Sequence, residues 1–194
     1  MFRRVCVFCG SNAGGRPEYR ESAEALGRLL VARGCGLVYG GGSVGLMGVI
    51  ADAVLAAGGE VQGVIPKSLA TRELLHPRVE PMHVVEGMHA RKSLMAELAD
   101  AFIAMPGGYG TFEELFEVIT WAQLGLHAKP IGLLNVAAFF DPLVQLVDHA
   151  VDEGFVKAAQ RELIVVEADV ERLFERLETH RPPAVPKWIR PEQT

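Results

Sequence analysis

Short, uniformly apolar runs alternate along the chain with longer stretches whose apolar residues recur every three or four positions. The runs at 5–9, 37–39, 61–65, 83–85, 101–105, 131–134 and 163–166 carry no polar alternation, so they predict strands buried on both faces. Between them, 17–33, 46–57, 89–98, 111–124, 142–153 and 170–177 read as helices. In the first, Tyr19, Ala23, Leu26 and Leu30 share one face, and Gly34 supplies a stop. Asp141 is a suitable N-cap for the fifth. Residues 67–82 read as irregular, broken by His76-Pro77 and Glu80-Pro81. Strand followed by helix, repeated, predicts an α/β fold: a single doubly wound, Rossmann-like parallel sheet of about seven strands with helices on both faces. Residues 1–180 form that domain, and 181–194 form a Pro-rich tail in which Trp188 is the one large apolar anchor.

Composition narrows the function. A chain of 194 residues can bury roughly 70% of its unfolded surface, so it needs no metal or disulfide to fold. The net charge is −5, with 19 basic against 24 acidic residues and no basic run, which argues against nucleic acid as a partner. The apolar stretches are too short and too interrupted for a membrane span. Met1-Phe2-Arg3-Arg4 leads directly into the first strand without the pattern of a signal peptide. Cys6, Cys9 and Cys35, an odd number, suit a reducing, cytoplasmic setting. Cys6 and Cys9 fall on opposite faces of a strand, which excludes a shared metal or redox pair. The six histidines show no metal-ligand spacing, so neither a metal nor a cofactor is expected.

Two glycine loops stand at strand ends. Gly40-Gly41-Gly42-Ser43-Val44-Gly45 lies between strand and helix and fits the dinucleotide spacing. It follows the second strand, however, and Glu60 opens the third strand instead of closing it, which disfavours NAD. The Lys-Ser/Thr pair of a P-loop is absent. Pro106-Gly107-Gly108-Tyr109-Gly110-Thr111 ends a buried strand and opens a helix, the arrangement of a phosphate cradle. Glu114 then falls in the helix's opening turns, where it would repel a phosphate placed beside it unless it acts on the sugar.

Pro106 to Glu114 as Pro-Gly-Gly-x-Gly-Thr-x-x-Glu, the Arg91-Lys92 pair after Met88-His89-Ala90, the run Gly40 to Gly48, the opening Cys9-Gly10-Ser11, and Ile119 to Gly125 occur in this order. Together they make the chain resemble the Lonely Guy (LOG) family of cytokinin riboside 5′-monophosphate phosphoribohydrolases, often labelled lysine decarboxylases. The resemblance spans residues 5 to about 166. It implies hydrolysis of the N-glycosidic bond of a nucleoside 5′-monophosphate, with free base and ribose 5-phosphate as products and AMP as a further candidate substrate. It implies catalytic roles for Arg91 and Glu114, a phosphate loop of Gly107, Gly108, Tyr109, Gly110 and Thr111, and substrate contacts from Glu73, Lys92 and Thr120. Ser11 and Gly42, at the ends of the first two strands, complete the expected substrate-binding set. It also implies a homodimer, with the helix bearing Trp121 as the candidate interface.

The chemistry agrees with those residue types. Cleavage passes through a sugar of oxocarbenium character, which a carboxylate stabilises while orienting water. Arg91 beside Glu114 would hold its pKa down and keep it ionised. The residues assign no donor to the leaving base; His89 is a candidate, but it reads first as an N-terminal helix residue with a structural bond. Glu113, about 100° round the helix from Glu114, is expected to face elsewhere. The decarboxylase label fits poorly, because none of the five lysines stands in a Schiff-base setting. Two other readings use the same crevice: a non-catalytic nucleotide-binding module and an NAD-binding protein.

Overall fold

A computed structural model describes residues 1–71 and 74–183 of the chain. Seven strands form one parallel sheet: β1 (Arg4–Phe8), β2 (Gly36–Tyr39), β3 (Val61–Pro66), β4 (Met82–Val85), β5 (Ala101–Ala104), β6 (Ile131–Leu134) and β7 (Ile164–Glu167). Their order across the sheet is β4-β3-β2-β1-β5-β6-β7, each pair parallel. The winding reverses between β1 and β5, and open sheets of this kind bind ligands outside the carboxyl ends of the strands at that switch point.

Among the described residues the helices are α1 (Pro17–Ala32), α2 (Gly45–Ala56), α3 (Met88–Leu98), α4 (Tyr109–Gln123), α5 (Asp141–Asp152), α6 (Ala158–Arg161) and α7 (Val170–Thr179). Two apolar layers flank the sheet. One holds α1, α2 and α7 against Val5, Val7, Cys9 and Ile103; the other holds α3, α4 and α5 against Cys6, Phe8, Phe102 and Ala104. Cys6 and Cys9 therefore lie in different layers, and all three thiols are free and buried.

Local chemistry sets the helix ends. Pro17 starts α1, where its missing N–H costs nothing, and Gly34 at φ 70° lets the chain leave it. Ala23, Leu26 and Leu30 are buried as their spacing predicts, and each leucine so placed contributes roughly 1.5–3 kcal/mol. Tyr19 on the same face is half-buried. Asp169 caps α7 by accepting from the Arg172 N–H at 2.9 Å. Asp141 does not cap α5. It is the helix's first residue, Phe140 is the N-cap, and the Asp141 carboxylate instead accepts from the Asn135 amide at 2.7 Å. The short α6 stands between the fifth predicted helix and the last predicted strand, where four residues carry too little periodicity to register. No helix among the described residues is long and apolar enough to cross a membrane. Glu73 and most of the tail, Trp188 included, lie outside the described residues.

Candidate active site

Three loops converge on the switch point. After β1, the Gly10 N–H donates to the Pro106 carbonyl at 3.0 Å, tying the end of β1 to the end of β5. The Gly10 carbonyl accepts from the Leu46 N–H at 2.9 Å, tying it to the start of α2. Gly45 makes that approach feasible: its φ is +60°, and a β-carbon there would overlap the Ser11 backbone. A β-carbon on Gly107 would likewise overlap the Thr111 hydroxyl. The second glycine loop is thus folded tightly onto Thr111, the buried residue of α4's first turn.

α4 opens with Gly108 as N-cap, followed by Tyr109, Gly110 and Thr111. The first N–H groups of a helix have no partner within it, so this end presents donors to an anion. A cavity of about 170 Å³ lies beside it, lined by Ser11, Asn12, Tyr19, Gly107, Gly108 and Phe139 among others. Ser11 and the second glycine loop are therefore neighbours. Asn12, Tyr19 and Phe139 were not legible as site residues, because none belongs to a motif. Tyr19 and Phe139 meet edge to face, with ring centroids 6.0 Å apart.

Arg91 and Glu114 come together from opposite sides of the switch point. α3 follows β4 at one edge of the sheet, and α4 follows β5 beyond the reversal. Arg91 spans the gap. Its Nε donates to the Val64 carbonyl at 3.1 Å, and its Nη1 lies 2.8 Å from Glu114 Oε1. The two side chains are only 11% and 9% exposed, so the pair is screened little by water. The net effect on Glu114 corrects the sequence expectation. Burial raises its pKa, and this outweighs the lowering by Arg91, so the carboxyl sits above its ordinary value. Sequence could name the partner but not the depth of burial.

The remaining expected residues divide. Lys92 is buried, with its ammonium on Glu113 and, at 3.0 Å, on Glu117. Burial pulls its pKa down, but the hydrogen bonds it donates to the two carboxylates more than offset that and hold it above its usual value. Glu113, expected to face elsewhere, serves as that partner. Gly42 is buried and bridged to Leu75, while the Ser43 N–H donates to the Leu74 carbonyl, so segment 74–76 lies across the first glycine loop. Thr120 is not brought to the crevice of its own chain. It is exposed, its hydroxyl donates to the Phe116 carbonyl at 2.7 Å, and it lies about 9 Å along and about 120° round α4 from Glu114. His89 is exposed at the start of α3. Among the described residues no group of three or more His, Cys, Asp or Glu side chains is placed to hold a metal.

A doubly wound sheet with an anion-binding helix start and a buried arginine–carboxylate pair at its switch point defines a nucleotide-site α/β protein equipped for more than binding. A family model described as "Possible lysine decarboxylase" matches residues 47–177. The chain is 54% identical over 181 residues to cytokinin riboside 5′-monophosphate phosphoribohydrolase LOG2 of Arabidopsis thaliana, covering 93% of this chain and 85% of that one. It is equally 54% identical to the phosphoribohydrolase LOG of Oryza sativa subsp. japonica, covering 93% and 75%. The chain belongs to this LOG family. Among solved structures it is similar to the molybdenum cofactor binding protein of Rippkaea orientalis, at a TM-score of 0.70 and 21% identity over 92% of this chain and 97% of that one. A molybdenum cofactor carrier protein of Chlamydomonas reinhardtii gives 0.69 and 23% over 93% and 100%. At such identities the likeness is one of fold alone.

Proposed function

We propose that this protein hydrolyses the N-glycosidic bond of cytokinin riboside 5′-monophosphates, and of AMP as a simpler substrate, to free base and ribose 5-phosphate. The observation that carries this reading is the buried 2.8 Å contact between Arg91 and Glu114 beside the Gly107–Thr111 loop. The helix start and the glycine backbone take the 5′-phosphate, which fixes the ribose relative to α4. As the bond from C1′ to the base breaks, its electron pair leaves with the base and positive charge grows on the sugar. The Glu114 carboxylate faces that charge in a dry site, where opposite charges attract strongly. Glu114 then accepts a proton from the water whose oxygen bonds to C1′, and the departed base takes up one proton from solvent, so that the products are the neutral base and ribose 5-phosphate. A carboxyl held above its ordinary pKa is the better base for that step. Arg91 favours the ionised form of Glu114 and so offsets part of the cost of burial.

A nucleotide carrier on the same fold has no use for a buried carboxylate at the sugar, which favours the hydrolase over the binding-module reading. The working unit is a homodimer. Phe116, one turn before Thr120, and Tyr109, two turns further back, are exposed on α4, and a second copy seated along that helix would cover them and bring Thr120 to its neighbour's crevice. The three buried free thiols fit a cytoplasmic setting.

The test is incubation of the purified protein with isopentenyladenosine monophosphate or AMP, followed by chromatography of free base. Release from the monophosphates and not from the nucleosides is expected. No release from any of them, with AMP still bound, overturns the hydrolase.

A further inference from the structure

Glu117 stands one turn beyond Glu114 on α4 and belongs to none of the motifs above. One of its oxygens lies 3.0 Å from the Lys92 ammonium, and the other is buried without a hydrogen-bond partner. Leaving a buried carboxylate oxygen unmatched costs stability, so a residue kept in that state points to a gain elsewhere. Lys92 adjoins Arg91 in the chain. The two cations of α3 thus dock on three carboxylates of α4: Arg91 on Glu114, and Lys92 on Glu113 and Glu117.

We infer that Glu117 is a positioning residue, which through buried Lys92 locks α3 to α4 so that Arg91 stays seated on Glu114. Two long side chains from one helix cannot both hold their geometry on a second helix unless the helices are fixed against each other. The Lys92–Glu117 contact fixes them from the buried side. Glu113 grips the same ammonium from the exposed side, its own side chain being 53% exposed, and surface ion pairs contribute little. The inference rests on the proposed role of Glu114, but it concerns a contact that exists whatever the substrate.

Charge and position make opposite predictions for Glu117→Gln. The groups acting on Glu114 are Arg91 and Lys92 from α3, Glu113 from its own helix, and the buried thiols Cys6 and Cys9 at β1. If Glu117 matters only as a negative charge, its removal makes ionisation of Glu114 easier and its pKa falls. If it positions, Arg91 loosens, burial goes unopposed and the Glu114 pKa rises.

The experiment follows the Glu114 carboxyl by carbon-13 NMR titration in the wild type, Glu117→Gln and Glu113→Gln, and measures kcat and KM for AMP in each. Glu117→Gln is expected to raise the Glu114 pKa and to cut kcat about tenfold with KM within about twofold, as a small misplacement of a catalytic group does. Glu113→Gln, which takes one charge from the same ammonium, should change kcat less than threefold. Glu117→Asp keeps the charge but draws the oxygen back by one methylene, and should fall between the wild type and Gln; it carries the test if Gln does not fold. An unchanged or lowered Glu114 pKa in the Glu117 variants overturns the inference. So does an equal loss in Glu113→Gln. The titration needs no turnover, so absence of base release from the wild type would sink the proposed function and leave this result readable.

Discussion

The guanidinium of Arg91 occupies the space that a β-carbon on Gly40 would fill. The first glycine loop therefore does a job that its dinucleotide-like spacing does not suggest. It opens a passage at the end of β2 through which an arginine from α3 reaches Glu114 on α4. Tyr39, just before it, is fully buried, so the chain enters the passage from a fixed strand.

Gly40→Ala should accordingly cost activity and little stability. The atom displaced is the flexible end of Arg91, and Gly40 itself does not need a left-handed backbone. The expected outcome is a drop in kcat of about ten- to a hundredfold, the penalty of a displacement near 1 Å. Thermal melts and steady-state kinetics on the variant check it. Wild-type kcat would show that Arg91 does not need this route.

The pH dependence follows from burial. In the proposed mechanism Glu114 must be ionised to act as base, and its pKa lies above the ordinary value of 4.5. Activity should fall as pH drops through that raised value, so the acid limb of kcat lies above 4.5. Arg91 is the largest influence lowering the pKa. Residual activity in Arg91→Met should show its acid limb at still higher pH. Profiles of kcat against pH for the two proteins decide this, and a limb that moves down in the variant contradicts the pairing.

A stability prediction lies at the other end of the sheet. Asp100 accepts from the Arg3 and Arg4 backbone N–H groups at 2.7 and 3.1 Å and so anchors the start of β1 beside β5. Burial opposes its ionisation, but those two hydrogen bonds outweigh it and lower its pKa. A carboxyl lowered in the folded state stabilises above its unfolded pKa and loses that contribution as pH falls through the folded value. Asp100→Asn should cost about 1 kcal/mol at neutral pH, with the difference closing below the ordinary value of 3.8. Denaturant melts at several pH values measure it.

Much of this was legible because buried parallel strands write themselves as unbroken apolar runs, and a strand stands at each of the seven, although the edge strands β4 and β7 are only partly buried where burial on both faces was expected. The Arg91–Glu114 pair was legible only through motif resemblance, since nothing in the spacing of residues 91 and 114 reveals a contact between helices that follow β4 and β5, with three strands between those two in the sheet. What escaped was whatever depends on environment. The sign of the Glu114 shift needed its burial, and the turn of Lys92 onto α4 needed Glu117, which no motif marks. Asp141 shows the limit at a single residue: a good capping side chain stands one position too late, because the Asn135 side chain already holds the Phe140 N–H at 2.7 Å.

The central claim is that Glu114 breaks the N-glycosidic bond instead of merely holding the nucleotide. Base release from isopentenyladenosine monophosphate by Glu114→Gln, with its substrate affinity measured in parallel, tests this most directly. Binding within a few-fold of wild type and turnover lower by about 10²–10⁴ is the predicted result. Turnover at the wild-type rate would contradict it.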